Sequence, residues 1–452
     1  MADLPCRSLR ARYVFTGLGP PIAGGTVTLC GPRIVAVGRQ ARGELLDLGD
    51  AAILPGLVNA HTHLDLSDLD APLGTPGMGL VDWIGLVIAH RMRRPPVVNG
   101  LEGNRRGTVP IFVAGRHKNG TVPFRPPVAA GIAESRRFGT TSLGEIAQPG
   151  WSAEPFLTGR LDATVFLELI ALTAARVDPT IELARGHLRT RHAPRDARPH
   201  AEREEYIAGL APHAPYSVHT QLLRQAVRLA TAAQCPIAFH LAESREELEL
   251  LATGQGPFRE MLTKMGAWEE SPLPGRRRPL DYLEELAAAP RTLVIHGNYL
   301  DDEEIHFLAR RADRMSLVYC PRTHAFFRHD PYPLARLLAR GVTMALGTDS
   351  RASSPDLSIL AEMRFLARQH PEIARPTILH LGTLGGAQAL GVAHSVGTLE
   401  PGKLAHLAIV ALADRDAADP YDLLFDCDAP VVGRWWRGEP DAGVPGFVSN
   451  EK

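Results

Sequence analysis

Cysteine is scarce in this chain of 452 residues: five are present, Cys6, Cys30, Cys235, Cys320 and Cys427, and none forms a CxxC pair. An odd, scattered set argues against a thiolate metal cage and predicts reduced thiols, with no disulfide frame. Charge of one sign is lacking as well. With 49 basic and 50 acidic residues the formal net charge is −1, which gives no footing for a nucleic-acid or anionic-membrane partner. No uninterrupted apolar run approaches the length that spans a bilayer. The opening MADLPCRSLRARYVF lacks the apolar core of a signal peptide, so a cytoplasmic protein is expected. No GxGxxG follows an early strand and no GxxxxGK(S/T) occurs, so the glycines of HLGTLGGAQALG read as helix-packing and turn residues.

What is present begins with a repeated phrase. Apolar residues make up 45% and charged residues 22%, enough for one large core with an accessory unit. A short β-branched run ends in a polar residue, and a helical pattern follows. The expected strands are AILPGLVNA, TTSLGEIA, ATVFLELIAL, YIAGLAPHA, PIAFHLAE, TLVIHGN, SLVYCPRT and VTMALGTDS. Strands alternating with helices pair in parallel, because parallel neighbours need a crossover. Eight such units predict a (β/α)8 TIM barrel over residues 53–395, with functional groups at the C-terminal strand ends. Residues 1–52 and 396–452 instead carry short strand-like runs, GGTVTLCGPRIVAVG, GTLEPGKLAHLAIVAL and APVVGRWWRG. They read as the two halves of one small β-sandwich. Residues 95–127, rich in Pro, Gly and Arg, read as an irregular insertion.

The histidines, 18 in all, are placed unevenly. His61 and His63 in NAHTHLDLS project to one side of a strand end, since side chains alternate. An isolated HxH pair is as often a surface or core feature as a ligand pair. Here FHLAES adds His240 and Glu243 at the fifth strand, VIHGN adds His296 at the sixth, and ALGTDS adds Asp349 at the eighth. Imidazole and carboxylate donors gathered at one barrel rim suit zinc or ferrous iron.

PGLVNAHTHLDLS, HLAES, HGN and LGTDS, in this order, resemble the amidohydrolase superfamily. Within it they are similar to the mononuclear-metal aminohydrolases, the branch of methylthioadenosine/adenosylhomocysteine, aminodeoxyfutalosine and guanine deaminases and triazine hydrolases. APHAPYSV and GTLEPGKLAHLAIV extend the resemblance over nearly the whole chain. It implies that His61, His63, His240 and Asp349 hold one divalent metal, zinc first, with iron or manganese as alternatives. Such an ion acidifies water towards pKa ~7, and Asp349 can take and later return the proton. Glu243 is assigned as the acid that protonates a ring nitrogen of the substrate, and His296 as the group that orients the attacking hydroxide. His213, in APHAPY, suggests a substrate contact. Arg322 and His324, in YCPRTHAFF, are further candidates for the substrate's polar end, and Trp83 for the pocket wall.

Two departures bear on specificity. HTHLD supplies Asp65 where several of these deaminases carry glutamate, and CPRTH differs from the CPxSN of the adenosine-derivative enzymes. The expected function is hydrolytic deamination of a purine-like or nucleoside-derived heterocycle, a small-molecule partner. The alternatives are a triazine-type hydrolase displacing chloride or amine, and an inactive scaffold. Homo-oligomerisation stays open.

Overall fold

The computed structural model describes residues 5–93, 127–189, 206–268 and 277–441. Eight strands form one sheet in sequence order. They are β1 (Leu57–Thr62), β2 (Thr140–Ala147), β3 (Asp162–Leu169), β4 (Tyr206–Pro212), β5 (Ile237–Leu241), β6 (Thr292–His296), β7 (Met315–Tyr319) and β8 (Thr343–Leu346). Neighbours pair in parallel throughout. The sheet closes on itself where the Thr348 and Asp349 amides donate to the His61 carbonyl at 3.2 and 3.1 Å. This is the expected TIM barrel. Its interior is apolar and filled, with Ala60, Ile146, Phe166, Ala211, Ala238, Ile295, Val318 and Ala345, one from each strand, in a single cluster. The helix Leu384–Leu390 lies against β8 and β1. A Cβ on Gly385 would stand 2.4 Å from the Met344 carbonyl oxygen, and one on Gly386 2.8 Å from Val58 Cβ, which is the packing use expected of that glycine-rich segment.

Two further sheets combine the ends of the chain. A four-stranded sheet runs Arg33–Gly38, Thr26–Cys30, Cys6–Arg10, Glu44–Asp47. A six-stranded sheet joins Glu439–Pro440, Val431–Trp436 and Leu407–Ala411 from the C-terminal part to Ala51–Pro55, Tyr13–Val14 and Ile22–Ala23 from the N-terminal part. Leu9, Val27 and Ile34 of the first pack on Val14, Ile53, Leu407 and Trp435 of the second, which makes a small sandwich. The expected insertion at 95–127 falls almost wholly outside the described residues; the helix Pro127–Arg137 follows it. No helix of the described residues is long and apolar enough to cross a membrane.

Two expectations are corrected. The sequence reads AILPGLVNA as one strand, whereas the structure divides it at Gly56: Ala51–Pro55 belongs to the sandwich and Leu57–Thr62 to the barrel. The reason is steric. A Cβ at Gly56 would fall 2.2 Å from Thr141 Oγ1, so only glycine lets the backbone pass from one sheet into the other. The second correction concerns cysteine. Cys6 and Cys30 face each other in the antiparallel register of their strands and form a disulfide, while Cys235, Cys320 and Cys427 form no disulfide among the described residues. Spacing along the chain does not report this pair, because strand register alone brings the residues together.

Gly56→Ala should destabilise the protein by about 1–3 kcal/mol, the cost of overpacking. Adding Thr141→Ala should recover part of the lost melting temperature in thermal denaturation. Thiol titration of denatured, unreduced protein should find three reactive thiols out of five; a count of five would show that the strands pair without the bridge.

Candidate active site

At the C-terminal rim of the barrel, β1 delivers His61 and, one residue past its end, His63, while β5 delivers His240. A ligand nitrogen from each lies within 4.8 Å of the others, and all three side chains are buried. Asp349, three residues beyond β8, brings Oδ1 to 3.6 Å from His61 Nε2 and 3.7 Å from His63 Nε2. Its other oxygen accepts the Ser353 hydroxyl at 2.9 Å.

The hydrogen bonds around these rings fix their chemistry. His240 Nδ1 lies 3.0 Å from the His213 carbonyl oxygen. A carbonyl only accepts, so Nδ1 carries the proton and the Nε2 lone pair is left for a Lewis acid. Both nitrogens of His61 and Nδ1 of His63 are buried without a hydrogen-bond partner. Burying such groups unpaired costs about 1–3 kcal/mol each. One cation would take one nitrogen from each ring, and three nitrogen donors with one carboxylate oxygen form a set that divalent transition metals take. The residues present therefore fit the metal.

Charge follows from burial. Burial holds His63 and His240 well below the ordinary imidazole range, and the neighbouring His61 adds to the effect. They are neutral, as metal ligands must be. Burial pushes the Asp349 carboxyl up, but the imidazoles of His61 and His63 outweigh it and keep the group below its usual range. The Ser353 hydroxyl, which donates to the other carboxylate oxygen, also favours the charged form.

Beside this cluster stand Glu243 and His296. Glu243 Oε1 lies 3.4 Å from His296 Nε2. Burial first, and then the charges of Asp349 and Glu247, raise the Glu243 carboxyl well above the carboxylate range, the direction that favours its protonated form. Burial lowers His296 to about 3. The chain reaches these positions through left-handed backbone at Ala242 (φ 53°), His296 (φ 69°) and Asp349 (φ 55°). Non-glycine residues adopt such angles at a cost, and they gather at functional sites.

The other expected contacts divide. His213 holds Ser217 Oγ at 2.7 Å through Nδ1 and lies 3.9 Å from Glu168 Oε1 through Nε2. Its backbone carbonyl, which also accepts the His240 amide at 2.9 Å, is the part that touches a proposed ligand residue. Arg322 is occupied elsewhere, by Glu362 at 2.6 Å and Asp356 at 2.7 Å. His324 is buried beside Tyr319, Tyr332 and His329. Trp83 donates to the Ala352 carbonyl at 3.1 Å and meets Phe327 edge-on. Asp65 is gripped by both arms of Arg91 at 2.9 and 3.2 Å.

Sequence reasoning passed over three supporting groups. Glu145, registered opposite Thr62 in β2, accepts the Thr62 hydroxyl at 2.8 Å and the Leu64 amide at 3.0 Å, so it clamps the turn that carries His63. Asn59 bonds the Thr348 hydroxyl and amide at 2.8 and 3.1 Å. Glu247 grips the backbone before the fifth-strand helix. The available signal was a lone carboxylate inside an apolar strand, as in TTSLGEIA. A separate cleft of about 320 Å³, lined by Arg291, Asp313, Thr343, Gln388 and His394 among others, opens where strands begin and is remote from this chemistry.

A closed (β/α)8 barrel with three imidazoles and a carboxylate converging at its C-terminal rim defines a metal-dependent hydrolase. Residues 161–444 match the amidohydrolase family, and the chain belongs to it. It is 28% identical over 406 residues to an aminodeoxyfutalosine deaminase of Deinococcus radiodurans, covering 85% of this chain and 86% of that one. It is 29% identical over 411 residues to a 5-methylthioadenosine/S-adenosylhomocysteine deaminase of Nitratidesulfovibrio vulgaris, covering 89% and 81%. In structure it resembles a zinc-bound adenosine deaminase of Xanthomonas campestris, with a TM-score of 0.72, 24% identity and coverage of 99% and 95%.

His240→Ala should yield folded protein that no longer retains a divalent metal through dialysis, read by elemental analysis. His213→Ala, which keeps the carbonyl that orients His240, should retain it.

Proposed function

We propose that this protein hydrolytically deaminates an adenosine-like nucleoside, releasing ammonia, with one zinc ion held by His61, His63, His240 and Asp349. The observation that carries the reading is the convergence of His61, His63, His240 and Asp349 with the buried Glu243 carboxyl beside them. A ring nitrogen needs an acid, and attacking water needs a base. When bound, the ion supplies Lewis acidity that lowers the pKa of water to ~7.

The chain supplies the rest. Glu243, kept protonated by burial, gives its proton to the ring nitrogen next to the amine-bearing carbon and so makes that carbon electrophilic. Asp349, whose Oδ1 faces the His61 and His63 nitrogens, receives a proton from water on its other oxygen and returns it to the departing amine. Water oxygen is thereby bonded to carbon, the carbon–nitrogen bond breaks and ammonia leaves, and the remaining proton on that oxygen passes to Glu243 as the carbonyl forms, which restores the acid. His296, neutral and buried, orients the attacking oxygen. His213 and His324 are retained as candidate substrate contacts. Arg322 is left out of that role, since two carboxylates occupy its guanidinium. The deaminase relatives support this substrate class over a triazine.

Purified protein should release ammonia from adenosine, methylthioadenosine, adenosylhomocysteine or aminodeoxyfutalosine, and not from guanine or cytosine. Chloride release from a chlorotriazine without ammonia from any of these would overturn the reading. Glu243→Gln should retain the metal and lose about 10²-fold or more in kcat; full activity would remove Glu243 from the reaction.

A further inference from the structure

Glu247 is fully buried, and among the described residues no cationic side chain pairs with it. Burial pushes its carboxyl up to about 7, against the amides that favour the charged form. A carboxyl in that position is costly unless its hydrogen bonds serve a purpose. It occupies the third position of the helix Arg245–Thr253, whose cap is Ser244; the Ser244 hydroxyl accepts the Glu247 amide at 3.2 Å. A carboxylate at this position ordinarily reaches back to the cap's own amide. Here it reaches further. Oε1 accepts the Ala242 amide and Oε2 the Glu243 amide, both at 2.9 Å. The two oxygens therefore serve the turn before the helix as well as the helix start.

That turn is the left-handed step at Ala242 (φ 53°), from which the Glu243 side chain leaves. Its opposite edge is also tied. The Leu241 carbonyl accepts the Gly297 amide at 3.0 Å, the Ala242 carbonyl the Tyr299 amide at 3.2 Å, and the Glu243 carbonyl the Asn298 side chain at 2.8 Å. Amides on one side and carbonyls on the other leave the turn one geometry.

We propose that Glu247 is a positioning residue, holding through the Ala242 and Glu243 amides the backbone from which Glu243 meets the substrate. The inference rests on the proposed role of Glu243 as proton donor. Glu247 touches neither substrate nor metal ligand; it acts through Glu243. The His240 ring is set independently, by the His213 carbonyl, so metal binding does not depend on Glu247.

The test is a double-mutant cycle on metal-loaded, full-length protein with adenosine-type substrate, run well below the melting temperature. Glu247→Gln is nearly isosteric and leaves only one acceptor oxygen for two amides. It should retain one metal per chain, keep KM within about threefold, and lower kcat about 10- to 100-fold through misplacement of the acid. In a Glu243→Gln background the same substitution should lower kcat by no more than about twofold, since residues acting through one another do not add. Unchanged kcat in Glu247→Gln, or losses that multiply in the double variant as general weakening of the fold would produce, overturns the proposal. Full turnover in Glu243→Gln alone instead defeats the proton-donor reading on which it rests. Should Glu247→Gln not accumulate as folded protein, the cycle is run with Glu247→Gln in an Ala242→Gly background, where the left-handed step carries no Cβ penalty, with Ala242→Gly as the reference, and the same two outcomes decide.

Discussion

Closure of β8 onto β1 is the constraint on which the site depends. The residues that meet there, Asn59 and Thr348, are 289 positions apart, so the loop they close is nearly as long as the barrel itself. The entropy of closing a loop grows only slowly with its length, and a small number of well-formed bonds can hold the seam. Asn59 contributes two of them, to the hydroxyl and the amide of Thr348, and the His61 carbonyl takes two more from Thr348 and Asp349. The residue carrying the first imidazole thus also receives the strand carrying the carboxylate. Were the seam to open by one residue, Asp349 would leave the reach of His61 and His63.

Three of the strand ends that serve the site are bent and then tied. Ala242, His296 and Asp349 have left-handed backbone, which without compensation costs about 1–3 kcal/mol apiece. The compensation is visible in every case. Glu247 holds the amide of Ala242, the Tyr332 hydroxyl donates to the His296 carbonyl at 3.1 Å, and the Asp349 amide donates to the His61 carbonyl. Regular strand geometry would place alternate side chains on opposite faces of the sheet. The bends aim Glu243, His296 and Asp349 into one volume.

The barrel was legible because eight β-branched runs alternate with helical spacing, and the site was legible because its polar residues terminate those runs. His61, His63, His240 and Asp349 could be named as candidates from position alone, since the ends of parallel strands meet at one rim. What could not be read depended on partners set by register and packing. Nothing in AILPGLVNA marks a change of sheet until Thr141 is found against Gly56. The Cys6–Cys30 bond exists only in the pairing of two antiparallel strands. Glu247 lies in the acidic first turn of a helix; its grip on two amides before the cap depends on a bend at Ala242 that no propensity foretells. Arg322 shows the opposite error. A loop arginine near a rim invites a substrate role, yet Glu362, buried on the helix Ile359–Gln369, occupies its guanidinium.

Electrostatics gives the last link between fold and chemistry. Around the three imidazoles the strand ends bury Asp349, Glu243, Glu145 and Glu168, while the guanidinium of Arg91 is held by Asp65. Carboxyls enclosed together cannot all ionise. Glu243 and Glu145 are pushed up by burial, and Asp349 alone among the groups touching the imidazoles is driven towards the charged form. A carboxyl pushed towards its acid form and one pushed towards its ionised form at a single rim match the acid and base that the proposed hydrolysis of a carbon–nitrogen bond requires. A dication among His61, His63 and His240 would deepen the difference, because it stabilises the carboxylate it touches far more than the acid beyond its reach. The same burial that makes the site costly to fold therefore separates the roles of its carboxyls.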